Sequence, residues 1–232
     1  MSRGKIYQAV EARARSRDPA DFWGQVGRSV RGKSVDESQI AMLVEAVVSG
    51  LELTADDILL DLCCANGALS DRFFARCKGG IGVDFSDYLI DIATRNFAQP
   101  PLRSYVLADV GEYLRNATIN AGFTKALCYG SFAVLPPALA RDVLTILRQR
   151  FVSVRRVFVG NVPDKSRLHD FFDPSSYTPG IESDPSSAIG VWRSVEEFDQ
   201  LAAATGWRSE VRRMPAAYYS AHYRFDVVLT PA

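Results

Sequence analysis

From Asp57 to Thr230, short apolar runs alternate with stretches of helical periodicity, and that alternation leaves the chain few architectures. Ile58-Leu-Leu-Asp-Leu62 reads as a buried strand, followed by a turn and a helix through Leu69, Phe73 and Phe74. Ile81-Gly-Val83 is a second strand ending at Asp84, after which Ser86 caps a helix through Leu89, Ile90, Ala93 and Phe97. Tyr105-Val-Leu107 is a third strand closing at Ala108-Asp109, with a short helix near residues 112–119. Ala126-Leu-Cys-Tyr129 is a fourth, a helix runs over about 137–151, and Arg156-Val-Phe-Val159 is a fifth. Strands separated by helices pair in parallel through right-handed crossovers, which predicts an α/β fold with a doubly wound sheet.

The last third departs from this rhythm. Residues 161–193 are rich in Pro, Ser, Asp and Gly and too long for a plain connection, which predicts a functional wall or lid. Ser194-Val-Glu-Glu197 is a capping box opening a helix through Phe198, Leu201 and Ala202 that stops at Gly206. Trp207–Met214 and Tyr223–Leu229 are joined by Pro215–His222, with no room for a helix between them, so they form an antiparallel hairpin at the sheet edge. Residues 1–52 form an N-terminal helical lid or cap, and 53–232 the main domain. In the lid, Tyr7, Val10 and Ala14 have helical spacing before Asp21-Phe-Trp-Gly and Gly27-Arg-Ser-Val-Arg-Gly-Lys interrupt it. Ser34-Val-Asp-Glu37 reads as a second capping box, ahead of a helix whose buried face is Ile40, Leu43, Val44, Val47, Val48 and Leu51.

Composition removes several function classes. The 232 residues carry 27 basic and 27 acidic side chains, so no chain-wide field grips nucleic acid. Four cysteines, two of them adjacent at Cys63 and Cys64, do not make a disulfide framework. No apolar run approaches the roughly 18 residues of a membrane span, and no apolar signal core follows the charges after Met1. The expectation is a soluble protein of the reducing cytoplasm with no membrane partner.

The chemistry concentrates in Leu60-Asp-Leu-Cys-Cys-Ala-Asn-Gly67, between the first strand and its helix. Open α/β sheets bind ligands beyond the carboxyl ends of their strands, and this turn lies at such an end. The small residues Cys63, Ala65 and Gly67 let the backbone approach a ligand. Asp84 follows Asp61 by 23 residues, near the spacing for gripping ribose hydroxyls, and Asp109 ends the next strand. A dinucleotide site needs a glycine-rich turn, whereas here small residues fall at alternate positions instead. Asp61 would also repel a pyrophosphate. A cationic nucleoside without phosphates fits better, and S-adenosylmethionine is one.

The stretch from Asp57 to Thr230 resembles the class I S-adenosylmethionine-dependent methyltransferases. The matching segments are Leu60–Gly67, Gly82-Val-Asp-Phe-Ser86, Ala108-Asp109-Val110 and the closing hairpin. The family's first motif is acidic-x-Gly-x-Gly-x-Gly; Asp61 and Gly67 match it, and Cys63 and Ala65 replace two glycines. The resemblance implies seven strands in the order 3-2-1-4-5-7-6, mostly parallel with an antiparallel terminal hairpin and helices on both faces. It implies Asp61 near the methionine amino end, the backbone of residues 63–67 along the methionine moiety, and Asp84 on the ribose hydroxyls. Phe85 and Ser86 would lie beside the adenine region, with Asp109 accepting the adenine amino group and Val110 donating its backbone amide. Tyr129-Gly130-Ser131-Phe132 would pass close to the sulfonium and the acceptor. Arg28, in a lid with Phe22, Trp23 and Gln39, would pair with the methionine carboxylate.

Methyl transfer is an in-line displacement, so the protein supplies alignment, exclusion of water and, where needed, a base. The fourth strand end lacks the Asn/Asp-Pro-Pro-aromatic run of many nitrogen methylases. His169, after the fifth strand, and His222, entering the last, are the two histidines and the candidate bases, with His169 preferred. The acceptor expected is an oxygen on a small molecule, such as a sugar or secondary-metabolite hydroxyl. Asn161 and Asp164 follow the fifth strand, but Gly130 and Ser131 offer no matching carboxylate, so no metal is expected. The competing readings are an RNA methyltransferase using Arg141, Arg148, Arg150, Arg155, Arg156, Lys165 and Arg167, and a non-catalytic cofactor-binding or interaction protein. A dinucleotide oxidoreductase ranks last, and a homodimer stays open.

Overall fold

Among the described residues, seven of nine strands join in one sheet whose order reproduces the expected winding. A computed structural model of the chain describes residues 3–117, 122–173, 175 and 177–232. Two short strands, β1 (Ser29–Val30) and β2 (Lys33–Ser34), form a separate antiparallel ribbon. The sheet contains β3 (Ile58–Leu62), β4 (Gly79–Asp84), β5 (Arg103–Leu107), β6 (Lys125–Tyr129), β7 (Arg156–Pro163), β8 (Trp207–Arg212) and β9 (Arg224–Pro231). Its order is β5-β4-β3-β6-β7-β9-β8, which is 3-2-1-4-5-7-6 when these strands are counted from Ile58. Pairs β3/β4, β4/β5 and β6/β7 are parallel, while β9 is antiparallel to both β7 and β8. The described residues form two compact units, divided in sequence between Asn116 and Ala117.

The first unit carries α1 (Arg3–Arg15), α2 (Phe22–Gln25), α3 (Glu37–Leu51), α4 (Ala68–Phe74), α5 (Asp87–Phe97) and α6 (Val110–Asn116). Helix α3 buries Ile40, Leu43, Val44, Val47 and Leu51 as its period predicts, while Val48, also expected on that face, is only half-buried. Its cap differs from the expectation. Asp36 is the N-cap, accepting from the Gln39 amide at 3.1 Å, and no box joins Ser34 to Glu37. The Ser34 hydroxyl instead donates to Asp21 Oδ1 at 2.6 Å, and Asp21 caps α2 through the Gly24 amide. Ser86 caps α5 as expected, accepting from the Leu89 amide. Helix α6 begins two residues earlier than the pattern suggested; residues 118 and 119 of that pattern lie outside the described residues.

The second unit carries α7 (Pro137–Arg150), α8 (Leu168–Phe171) and α9 (Val195–Ala204). Proline at the first turn of α7 costs no hydrogen bond, and its inner face is Ala140, Val143, Leu144 and Leu147. The Ser194–Glu197 capping box of α9 is formed in both directions. Trp207 is buried and donates through Nε1 to the Leu144 carbonyl at 3.0 Å, pinning β8 to α7. Strand β7 continues to Pro163, beyond the expected end, with a register shift against β9 between Val159 and Val162. The stretch 161–193 contains 3-10 turns at Lys165–Arg167 and Ile181–Ser183 and the short helix α8. Its start is tied down by the fully buried Asp164, which accepts from Arg213 at 2.7 Å and from the Ser166 amide and hydroxyl. Among the described residues no helix is long and apolar enough to cross a membrane.

Candidate functional site

The turn between β3 and α4 has an alternating left-handed backbone. Cys63, Ala65 and Gly67 have φ of 63°, 52° and 75°. Two side-chain-bearing residues thus adopt the conformation the motif ordinarily reserves for glycine, at about 1–2 kcal/mol each. Glycine at 67 is required on space as well as conformation. A Cβ there would lie 2.8 Å from both Ala93 Cβ and the Tyr105 ring, whose hydroxyl donates to the Gly67 carbonyl. Cys64 points inward and is buried, and burial raises its thiol pKa, which fits a packing role.

Two buried carboxylates flank this turn. Asp61, 4% exposed, accepts from the Ser70 hydroxyl at 2.6 Å. Burial pushes its pKa up to about 7, against the Ser70 hydrogen bond and the charge of Arg28, while the charge of Asp84 raises it further. Asp84, 6% exposed, accepts from the Ala65 amide through Oδ2 at 2.9 Å and from the Ser86 amide through Oδ1 at 3.0 Å. Its pKa is also raised by burial, with the Ser86, Ala65 and Phe85 amides opposing. A carboxylate offers about four acceptor sites, so both groups keep capacity for a further donor. At the end of β5, Asp109 Oδ1 accepts from the Gly111 and Glu112 amides and so starts α6, with Val110 buried beside it. Phe85, between Asp84 and Ser86, is 37% exposed.

Sequence reasoning missed the residue that fastens the turn to the N-terminal segment. Asn66 is 2% exposed; its Nδ2 donates to the Phe22 carbonyl at 2.8 Å and to Gln25 Oε1 at 2.9 Å, and its Oδ1 accepts from the Ala68 amide. Gln25, fully buried, passes the chain on to the carbonyls of Asp18 and Pro19. A lone Asn beside a glycine reads from sequence as turn chemistry, with nothing to reveal a partner 44 residues away.

In the second unit, Tyr129 ends β6 with its ring stacked on Phe158 and its hydroxyl 3.1 Å from that of Tyr218. Next to it Asn161 has φ of 64° at the β7 irregularity, its amide donating to Asp226 and its carbonyl accepting from Arg224. Burial raises the Asp226 pKa to about 6. His169 is exposed on α8 with its ring against Tyr177, and His222 is exposed with its ring 4.7 Å from that of Tyr223. Of the basic residues considered for RNA, Arg148 and Arg150 donate to backbone carbonyls, and Lys165 and Arg167 pair with Glu197 and Asp164.

No family model matches the sequence. An uncharacterized methyltransferase of Schizosaccharomyces pombe, C70.08c, is 29% identical over 100 residues, which are 43% of this chain and 34% of that protein. The chain thus matches about a third of the length of this curated relative. Among solved structures, the DhpI-SAM-HEP complex gives a TM-score of 0.66 at 17% identity over 100% of both chains. Magnesium protoporphyrin IX methyltransferase (ChlM) from Synechocystis PCC 6803 with bound SAH gives 0.63 at 14%, covering 100% of this chain and 95% of that one. A S-adenosylmethionine-dependent methyltransferase from Clostridium acetobutylicum gives 0.62 at 12%, covering 88% and 95%. With its strand order, its antiparallel β9 and these likenesses, the chain has the fold of the class I S-adenosylmethionine-dependent methyltransferases.

Proposed function

We propose that the chain is a methyltransferase that uses S-adenosylmethionine and directs the methyl group to an oxygen of a small molecule. The observation that carries this reading is the turn at residues 63–67, left-handed at alternate positions, bonded to the buried Asp84 and preceded by the buried Asp61. The carboxylate of Asp61 suits a nucleoside with an ammonium group and no phosphate, and Gly67 lets the turn close against Ala93 and Tyr105. The names of the S. pombe relative and of the solved structures with SAM or SAH add support. When bound, the cofactor supplies an already activated methyl group.

In this reading Asp61 receives the methionine ammonium and Arg28 its carboxylate, while the backbone at Cys63, Ala65 and Gly67 lines the methionine moiety. Asp84 accepts from the ribose hydroxyls with its remaining lone pairs, Phe85 covers the adenine, and Ser86 holds the adjoining helix start. Asp109 and the Val110 amide contact the adenine edge. Residues 1–52 act as a lid, a role supported by the bonds from Asn66 to Phe22 and Gln25. Tyr129 faces the reacting end, and His169 or His222 takes the acceptor proton. A cytoplasmic site of action accords with this chemistry.

The direct test is transfer of a labelled methyl group from S-adenosylmethionine to hydroxylated small molecules, together with calorimetric titration of S-adenosylhomocysteine. Asp84→Ala removes the acceptor of the Ala65, Ser86 and Phe85 amides as well as the proposed ligand contact. It should weaken S-adenosylhomocysteine binding about 10–100-fold, as loss of charge-assisted hydrogen bonds does; unchanged affinity would refute the ribose assignment. His169→Ala should lower turnover at least tenfold at constant cofactor affinity. Full activity in that variant moves the base to another residue.

A further inference from the structure

The second unit holds two buried donors for which the described residues provide no acceptor, and both belong to residues that touch one ring. Trp192 is 2% exposed, yet its Nε1 has no hydrogen-bond partner. Arg224 donates through Nη1 to the Asn161 carbonyl, while its buried Nε is likewise unpartnered. The Trp192 ring lies 5.8 Å from that of Tyr223, and the Arg224 guanidinium stacks 4.7 Å from the centre of the same tyrosine. Indole and guanidinium are donors only, so neither can satisfy the other. What both need is a group rich in acceptor oxygens.

The surroundings are aromatic. Phe171 packs on Tyr223 at 4.7 Å and on Trp192 at 5.7 Å, and Phe172 packs on Phe171 and Trp192 at 5.0 and 5.7 Å. This is more than a closed core, because Phe171 is 39% exposed and the exposed His222 ring lies beside Tyr223. Rings partly open to solvent bind flat apolar surfaces at low conformational cost. A guanidinium with an unpartnered Nε beside such a surface recognises a carboxylate by its planar fork.

We infer that the cluster of Phe171, Phe172, Trp192 and Tyr223, with Arg224, receives the methyl acceptor, and that the acceptor is an aromatic ring bearing a carboxylate. This deepens the methyltransferase reading and rests on it. The carboxylate anchors the molecule on Arg224 and the Trp192 indole, and a ring hydroxyl is the nucleophile. Its oxygen forms the new bond to carbon as the methyl–sulfur bond breaks. The electron pair of that bond stays on sulfur, leaving S-adenosylhomocysteine, and the hydroxyl proton passes to one of the rim histidines.

The test is calorimetric titration of 4-hydroxybenzoate and of its neutral counterpart 4-hydroxybenzamide into the protein saturated with S-adenosylhomocysteine. The acid should bind at least tenfold more tightly than the amide. Arg224→Lys, which keeps the charge and loses the fork, should reduce that preference below threefold, and Trp192→Phe should weaken the acid several-fold. Affinity for S-adenosylhomocysteine should be unchanged in both variants, showing that they remain folded. Equal affinity for acid and amide, or no binding of the acid by protein that binds S-adenosylhomocysteine, overturns the inference. Failure of the wild-type chain to bind S-adenosylhomocysteine overturns the methyltransferase reading itself.

Discussion

Asp61→Asn is expected to make the protein more stable at pH 8 and to flatten its stability between pH 4 and pH 7. The Asp61 carboxyl has its pKa raised to about 7 by burial, against an ordinary value of 3.8. Between those values the folded chain holds a proton that the unfolded chain has released. Stability therefore falls as pH rises through this window, and the full penalty is present above pH 7. Three units correspond to about 4 kcal/mol at the upper limit. Asparagine keeps an oxygen for the Ser70 hydroxyl and carries no charge to desolvate. Urea unfolding of both proteins at pH 5 and pH 8 checks this: the wild type should lose about 2–3 kcal/mol more than the variant across the interval, and equal losses would show that Asp61 is ionised cheaply. The same substitution should weaken S-adenosylhomocysteine binding at least tenfold, because the proposed ammonium partner is gone. In the wild type, cofactor binding near pH 6.5 should release a proton, visible as a dependence of the calorimetric heat on buffer ionisation enthalpy.

Gly67→Ala should be among the most damaging single-methyl changes in the first unit. The residue has φ of 75°, which costs a side-chain-bearing residue about 1–2 kcal/mol. The added methyl also meets Ala93 Cβ and the Tyr105 ring at 2.8 Å, inside ordinary contact distance, and overpacking of that kind costs about 1–3 kcal/mol more. A loss of about 2–5 kcal/mol in chemical denaturation is expected, together with weakened cofactor binding. Ala65→Gly is the informative opposite. It relieves a left-handed alanine at φ of 52° while loosening the unfolded chain, two effects of similar size. Stability should change by less than about 1 kcal/mol, with the Ala65 amide still bound to Asp84. A large loss at Ala65→Gly would mean that its methyl group packs in the site.

The winding of the sheet was legible because each strand from Ile58 to Val159 is a short apolar run with a helix beside it; burial on both faces imposes that pattern on β3, β4, β6 and β7, while the edge strand β5 is only partly buried. Caps set by adjacent residues were legible at Ser86 and Ser194, since both partners lie within one turn. The same rule misread Ser34, where a carboxylate 13 residues earlier in the chain takes the hydroxyl and Asp36 caps in its place. Long-range polar ties were not legible: nothing local distinguishes Asn66, which holds the N-terminal segment, from an ordinary turn asparagine. The stretch after Val159 was read as a wall from its composition, yet its ordered parts follow from Asp164 and Arg213, 49 residues apart. The aromatic cluster around Trp192 and Tyr223 arises from the same loop closure, and its members are scattered over more than 50 positions.

Strand β9 lies between β7 and β8 and gives each its antiparallel partner, although it is the last of the three to be synthesised. Until residue 231 has emerged from the ribosome, β7 presents an open edge and β8 has no strand partner. Such edges invite pairing with other chains, and the sheet of the second unit cannot be completed before β9 is made. A nascent chain stalled at residue 220 would hold an exposed β7 margin, and chaperone contact during translation should concentrate there.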